Sequence, residues 1–372
     1  MLADAIDPAR VHRALVIKLR HHGDVLLTSP VFQVLKNHLP HLETDALVYR
    51  DTQEMLSGHP AISQMFTIDR AWKRLNPLAQ AAQEWRLFRA LQSRRYDLVV
   101  HLTNHPRGAW LTRLLRPHYA VAQRAPDVDE GRNSRLWTKS FTHTYPPPKV
   151  TYRHTVESNL DALRRLGIYP SNAEKRLVLV AGAEAERKVE ALLAAHGVAT
   201  QQFIHMHPTS RWLFKTWPAE KFAALILQLG RDGHRVVLTA APNTDERNMI
   251  AAIRKVLNAP VVDLSGALSL KELAAVIARA RAFIGVDSAP MHMAAAMQIP
   301  TVALFGPSQE KQWGPWAVAH RIVVSNEPRH SCRPCGNDGC GGSKVSECLV
   351  ELPVQRVYAA LNELLAANAV AN

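Results

Sequence analysis

Apolar residues along this chain fall into short unbroken runs separated by longer stretches in which they recur about every three to four positions. ALVIKL (14 to 19), DALVY (45 to 49), MFTI (65 to 68) and DLVVHL (97 to 102) have the length and composition of buried strands. Between them lie amphipathic stretches such as AQAAQEWRLFRALQSRR (79 to 95), whose spacing predicts a helix. The alternation then repeats. FIHMHP (203 to 208), RVVLTA (235 to 240), VVDL (261 to 264), AFIGV (282 to 286) and TVALF (301 to 305) read as strands, with helices expected at 218 to 230, 244 to 257, 270 to 280 and 290 to 297. Strands alternating with helices in this way predict an α/β chain of parallel sheets wrapped by helices.

Two such blocks imply two domains, and 372 residues are enough to bury two cores. The Pro-rich YPPPK (145 to 149) and the helix-like TVESNLDALRRLG (155 to 167) put the junction near 150 to 175. The expected domains are therefore 1–160 and 175–350. A last amphipathic segment, Val354 to Ala367 within 353–372, stands outside both blocks. No run approaches the roughly eighteen apolar residues of a membrane span, and the first thirteen residues mix Asp, Arg and His where a secretion signal is apolar, so a cytoplasmic location is expected.

A formal net charge of +13 draws the chain toward polyanions: nucleic acid, an anionic membrane surface, or a substrate dense in phosphate and carboxylate. A nucleic-acid reader interleaves basic residues with stacking aromatics, whereas the eight tryptophans here are scattered among predicted helices and loops. No nucleic-acid partner is expected.

Candidate chemistry concentrates in GVDSAPMH, between the strand ending near Val286 and the helix starting near Pro290. In an open α/β sheet, ligands sit beyond the carboxyl ends of the strands, and free N–H groups at a helix start favour an anion such as phosphate. Ser288 and Ala289 supply such amides, flanked by Asp287 and His292. The alternative is a Ser cap with Pro290 in the first turn. Lys215, just before the helix expected at 218, either converges with that helix's N–H groups on a diphosphate or is a solvated surface lysine. The first strand leads into neither GxGxxG nor GxxxxGK[ST], so dinucleotide oxidoreductases and P-loop enzymes lack their fingerprint. It leads instead into HHGD, where Asp24 is either a helix cap or a functional carboxylate. All four cysteines, Cys332, Cys335, Cys340 and Cys348, lie in CRPCGNDGCGGSKVSEC. In a reducing compartment such clustering suggests a soft-metal site, with structural zinc the ion expected; a redox-labile loop and a packed knuckle without metal are the other readings.

DSAPMH after one strand, Gly306-Pro307-Ser308 after the next, and LVIKLRHHGDVLLTSPVFQVLK (15 to 36) at the start together resemble the glycosyltransferases of the lipopolysaccharide inner core, the ADP-heptose heptosyltransferases, and most closely their third subfamily. The resemblance spans nearly the whole chain. It implies the GT-B fold, two Rossmann-like domains with a cleft between them, the acceptor bound by the N-terminal domain and the nucleotide sugar by the C-terminal one. In that architecture the last helix often returns to the first domain, which is the expectation for 353–372. It implies Asp24 as general base in a single inverting displacement, and Thr209, Ser210, Lys215, Glu246, Asp287, Ser288, Ala289 and His292 on the donor, with Asp245 the alternative to Glu246. The donor implied is ADP-L-glycero-D-manno-heptose. The acceptor implied is heptosylated Kdo-lipid A at the cytoplasmic face of the inner membrane, which the basic residues Arg107, Arg113, Arg116, Arg124, Arg132, Arg135 and Lys139 would suit. No cofactor is required for such a transfer. A GT-B transferase or epimerase working on another nucleotide sugar, such as a UDP-sugar, is the nearest alternative.

Overall fold

The computed structural model describes residues 4–124, 134–147, 152–257 and 259–371. The chain divides into two units, Met1–Val178 and Leu179–Asn372. In the first, strands β1 (Arg13–Lys18), β2 (Glu43–Tyr49), β3 (Gln64–Ile68), β4 (Leu98–His101), β5 (Tyr119–Gln123) and β6 (His143–Tyr145) pair in parallel in the order β3-β2-β1-β4-β5-β6. The second unit repeats the arrangement. Strands β7 (Phe203–His207), β8 (Arg235–Leu238), β9 (Val262–Asp263), β10 (Ala282–Val286), β11 (Thr301–Leu304) and β12 (His320–Val323) are also all parallel, ordered β12-β11-β10-β7-β8-β9.

Both orders are those of a Rossmann-like sheet, in which the winding reverses beside the first strand and opens a crevice at the strands' carboxyl ends. In the first unit the reversal lies between β1 and β4, and in the second between β7 and β10. These positions decide where ligands go. The central strands are buried almost throughout because helices cover both faces, and although most of their side chains are apolar, Lys18, His101, His205 and His207 are buried there as well.

Two boundaries differ from expectation. The helix Thr155–Arg165 belongs to the first unit, where Val156, Leu160 and Leu163 are buried and the Asn159 amide donates to the Leu27 carbonyl at 3.0 Å; the junction accordingly falls at 178/179, just past the stretch of 150 to 175 near which it was expected. The last helix, Val354–Ala371, does not return to the first domain. It packs on the helix Ala219–Arg231, β11 and β12, burying Val357, Leu361 and Leu364 in the core of the second unit. Trp217 Nε1 and Lys221 Nζ both donate to the Leu352 carbonyl just before it, at 3.0 and 2.9 Å, which fixes its entry.

Candidate active site

The loops that follow β7, β8 and β10 meet at the reversal point of the second sheet and carry every residue expected on the donor. After β7 come Thr209, Ser210 and Lys215, after β8 Glu246, and after β10 Asp287, Ser288, Ala289 and His292. Lys215 Nζ donates to Asp287 Oδ2 at 2.6 Å, and the Ser210 hydroxyl reaches the Asp287 carbonyl at 3.4 Å. Lys215 is thus not a solvated lysine. The eight-residue helix Ala289–Ala296 starts beside this pair, with Ser288 at its cap position. The Ser288 hydroxyl makes no cap bond and turns instead to the Val286 carbonyl at 3.3 Å. Pro290 has no N–H and Met291 N donates back to the Ser288 carbonyl, so among the described residues the helix-start amides without a hydrogen-bond partner are those of Ser288 and Ala289. His292 is buried in the same first turns.

Glu246 sits in the first turn of the helix Thr244–Val256 and is buried, whereas its neighbour Asp245 is exposed. Burial works against its charge, but the Thr209 hydroxyl at 2.6 Å, Ala241 N at 3.0 Å and the Asn243 amide at 2.9 Å outweigh it and hold the carboxyl below its ordinary range. The ionised carboxylate sets the direction of a longer chain of hydrogen bonds. Thr209 gives its only hydroxyl proton to Glu246, so its oxygen accepts from His207 Nε2 at 3.2 Å. His207 then presents a bare Nδ1 to the Thr239 hydroxyl at 2.8 Å, and Thr239, its proton spent, accepts from His205 Nε2 at 2.7 Å. Burial pushes both imidazoles down, so both are neutral and the tautomers are assigned by the network.

The sequence reading missed His205, His207 and Thr239 because they stand within strands, where a polar residue on a buried face is visible only once its partners are known. Thr239→Val is expected to destabilise the protein by about 1–3 kcal/mol, since it strands two buried ring nitrogens, while Thr239→Ser keeps most of the stability. Denaturant unfolding of the two variants checks this; equal midpoints for Val and wild type would remove the network's role.

Gly306, Pro307 and Ser308 follow β11 as expected. A Cβ on Gly306 would lie 2.5 Å from the Leu349 side chain, so this glycine is required by packing. Beyond it, a cavity of about 470 Å³ is lined by Lys215, Trp212, Pro307, Ser308 and Trp313, and closed on one side by Gly336 to Asp338 of the cysteine segment. The zinc expectation is not met by the geometry. Among the described residues no group of three or more His, Cys, Asp or Glu side chains is disposed to hold a metal ion. Cys332 and Cys335 are exposed on loop turns, Cys340 is half-buried, and Cys348 faces inward from the helix Glu347–Val350, its thiol pushed up to about 11 chiefly by burial.

In the first unit, Asp24 follows β1 at the sheet's reversal point. It is the third residue of the short helix His22–Leu26, whose cap is His21, so Asp24 is not the helix cap. Its carboxylate is half-buried and takes no side-chain hydrogen bond among the described residues. Lys18, the last residue of β1, is buried beneath this loop and donates to the Leu102 carbonyl at 3.0 Å and to Asn159 Oδ1 at 3.1 Å. Burial pushes its amine down to about 8, against the pull of the Asp24 charge. Lys18 was also missed, although a lysine interrupting the apolar run ALVIKL was a signal that sequence offered.

The basic residues expected on an acceptor do not form one patch. Arg124 lies at the carboxyl end of β5, the same end as Asp24, while Arg107 is paired with Glu84. Arg113, Arg116 and Lys139 precede β5 and β6 and so lie toward the opposite end of the parallel sheet. Arg132 and the Arg135 side chain lie outside the described residues.

The sequence profile of glycosyltransferase family 9 (heptosyltransferase) matches residues 84–340. The chain belongs to this family. It is a glycosyltransferase, similar to lipopolysaccharide heptosyltransferase 3 of Escherichia coli, with 36% identity over 310 residues that cover 80% of this chain and 85% of the relative. Among solved structures it is similar to the family 9 glycosyltransferase of Veillonella parvula DSM 2008, with a TM-score of 0.82 at 22% identity, covering 98% of this chain and 100% of that one. The ADP-heptose lipopolysaccharide heptosyltransferase II of E. coli follows, with a TM-score of 0.73 at 20% identity over 96% and 99% of the two chains. The fold is GT-B, as the paired Rossmann-like sheets of a family 9 heptosyltransferase require.

Proposed function

We propose that this family 9 glycosyltransferase moves heptose from ADP-L-glycero-D-manno-heptose onto the inner-core heptose of lipopolysaccharide, with inversion at the anomeric carbon. The observation that carries the reading is the placement of Asp24 at the reversal point of one sheet and of Lys215, Asp287 and Glu246 at that of the other. Together with the similarity to a lipopolysaccharide heptosyltransferase 3, it supports a base in the acceptor-binding unit and a phosphate and sugar-nucleotide site in the donor-binding unit.

Asp24 takes the proton of the acceptor hydroxyl as that oxygen bonds to the anomeric carbon, and the bond from that carbon to the β-phosphate oxygen breaks on the opposite face. ADP leaves with the bonding pair. Its growing charge is met by the Lys215 ammonium and the unpaired helix-start amides of Ser288 and Ala289, fixed before the reaction and therefore costing no reorganisation. Thr209 and Ser210 line the same loop, His292 supports the helix start, and Glu246, held ionised, accepts from a hydroxyl of the donor. No cofactor enters any step. The acceptor is heptosylated Kdo-lipid A, reached at the cytoplasmic face of the inner membrane by a peripheral enzyme; no helix among the described residues is long and apolar enough to cross a membrane.

Donor choice is the test. A site built to bond one base leaves buried polar groups unpaired when offered another. ADP at about 100 times its Kd is expected to stabilise the protein by about 2.7 kcal/mol, and UDP at the same concentration to do little. Thermal unfolding with each nucleotide decides. A larger shift with UDP or a UDP-sugar would overturn the ADP-heptose assignment while leaving the fold intact.

A further inference from the structure

The first unit carries a face that the transfer reaction does not use. On the helix Pro77–Ser93, Leu78 is 85% exposed and Trp85 59%; on the neighbouring helix Pro106–Leu115, Trp110 and Leu114 are each 54% exposed. Spacings of seven and of four residues put each pair on one side of its helix. That side faces away from the core, because Leu87 and Leu91 fill the inner side of the first helix and Ala109 and Leu111 that of the second. Isolated apolar side chains on a surface need no explanation, but two tryptophans and two leucines on adjacent helices do.

The charge around them is of one sign. Arg86, Arg89, Arg113, Arg116 and Lys139 are exposed, and among the described residues none of them is ion-paired with a carboxylate. The only acid on either helix, Glu84, is taken by Arg107. The Arg89 guanidinium lies 5.9 Å from the centre of the Trp85 ring, so cation and indole form one unit. Between Trp110, Arg113, Arg116, Lys139 and Thr142 the surface sinks into a cavity of about 800 Å³, large enough for a phosphate headgroup within reach of three cations.

We propose that this face is a membrane contact that takes anionic phospholipid headgroups, its tryptophans and leucines entering the interfacial layer and its arginines meeting the phosphates. Amphipathic indoles belong at the water–lipid boundary, and basic residues beside them are held by the negative surface potential. The cations form two groups, Arg86 with Arg89 in the second half of the first helix and Arg113, Arg116 and Lys139 around the cavity, and a continuous anionic surface meets both groups at once where a single acidic site on a protein partner would meet one. The face runs lengthwise, from Leu78 near the carboxyl ends of the strands to Leu114 near their starts, so a bilayer lies alongside the sheet and leaves the end that bears Asp24 open. The inference deepens the proposed function, on which the presence of a membrane-anchored acceptor rests.

Vesicle flotation tests it, using phosphatidylcholine alone and phosphatidylcholine mixed with phosphatidylglycerol. The wild-type protein is expected to bind only the mixed vesicles and to be released by salt. Trp85→Ser with Trp110→Ser, and separately Arg86→Gln with Arg89→Gln, are each expected to lower the partition by roughly tenfold or more. Heptose transfer to a deacylated, water-soluble acceptor is expected to stay at the wild-type rate in both variants, while transfer to acceptor embedded in vesicles falls. Absence of wild-type binding to the mixed vesicles would overturn the membrane contact, as would variants that float like wild type. A concentration-dependent dimer that the tryptophan substitutions abolish would assign the face to a second copy and overturn it as well. Failure of wild-type transfer to the soluble acceptor bears on the heptosyltransferase reading alone, since flotation does not depend on it.

Discussion

Asp24→Asn is expected to lower heptose transfer by roughly 10²-fold or more while ADP affinity stays nearly unchanged. The substitution keeps the shape of the side chain and removes its ability to take a proton. Asp24 is the third residue of a short helix, neither its cap nor a partner in a side-chain hydrogen bond, so the helix loses little. The groups assigned to the donor all belong to the other unit. A second consequence has a definite sign. The Asp24 charge supports the buried Lys18 ammonium, whose pKa of about 8 is already low because of burial, so removing that charge lowers it further. Single-turnover transfer and calorimetry with ADP measure the first two effects, and near-normal turnover would take Asp24 out of the mechanism.

Lys215→Ala is expected to weaken binding of ADP-heptose by roughly 10- to 100-fold, the range for losing a charge-assisted hydrogen bond. The geometry places the effect toward the upper end. Lys215 does more than face the ligand: it neutralises the buried Asp287 carboxylate at 2.6 Å, and without it an uncompensated negative charge remains where the diphosphate docks. Lys215→Ala combined with Asp287→Asn is therefore expected to bind ADP more tightly than Lys215→Ala alone. The Coulombic part of the loss should shrink as salt is raised. Calorimetry on the single and double variants reads both. Unchanged ADP affinity in Lys215→Ala would mean that the diphosphate lies elsewhere.

Much of this arrangement was legible in sequence because the signals were local. AFIGV and TVALF are continuous apolar runs, and a strand, a Ser-x-Pro turn and a helix in succession specify a ligand-binding edge whatever the ligand is. The strands that escaped notice include the two edges β6 (HTY) and β12 (HRIV), short and partly polar because one side of an edge strand meets no neighbour. The ion pair of Lys215 and Asp287 joins residues 72 positions apart, and the histidine network bridges β7 and β8. Such pairings depend on strand register, which periodicity does not encode. The cysteines are a different case: their closeness in sequence carries over into space, since the other three thiols all act on Cys348, but exposure differs among them, with Cys348 buried and Cys332 and Cys335 on the surface, and no metal-holding group forms among the described residues.

The placement of the last helix bears on how the protein is made. Because Val354–Ala371 completes the second unit, the polypeptide passes from one unit to the other once, at Val178–Leu179. All six strands of the first sheet have left the ribosome before β7 is synthesised, so that sheet can close without waiting for any distant segment. The second sheet likewise draws on nothing upstream of its own start. Each half is an uninterrupted stretch of gene, and a cut at that single join divides the protein without opening either sheet.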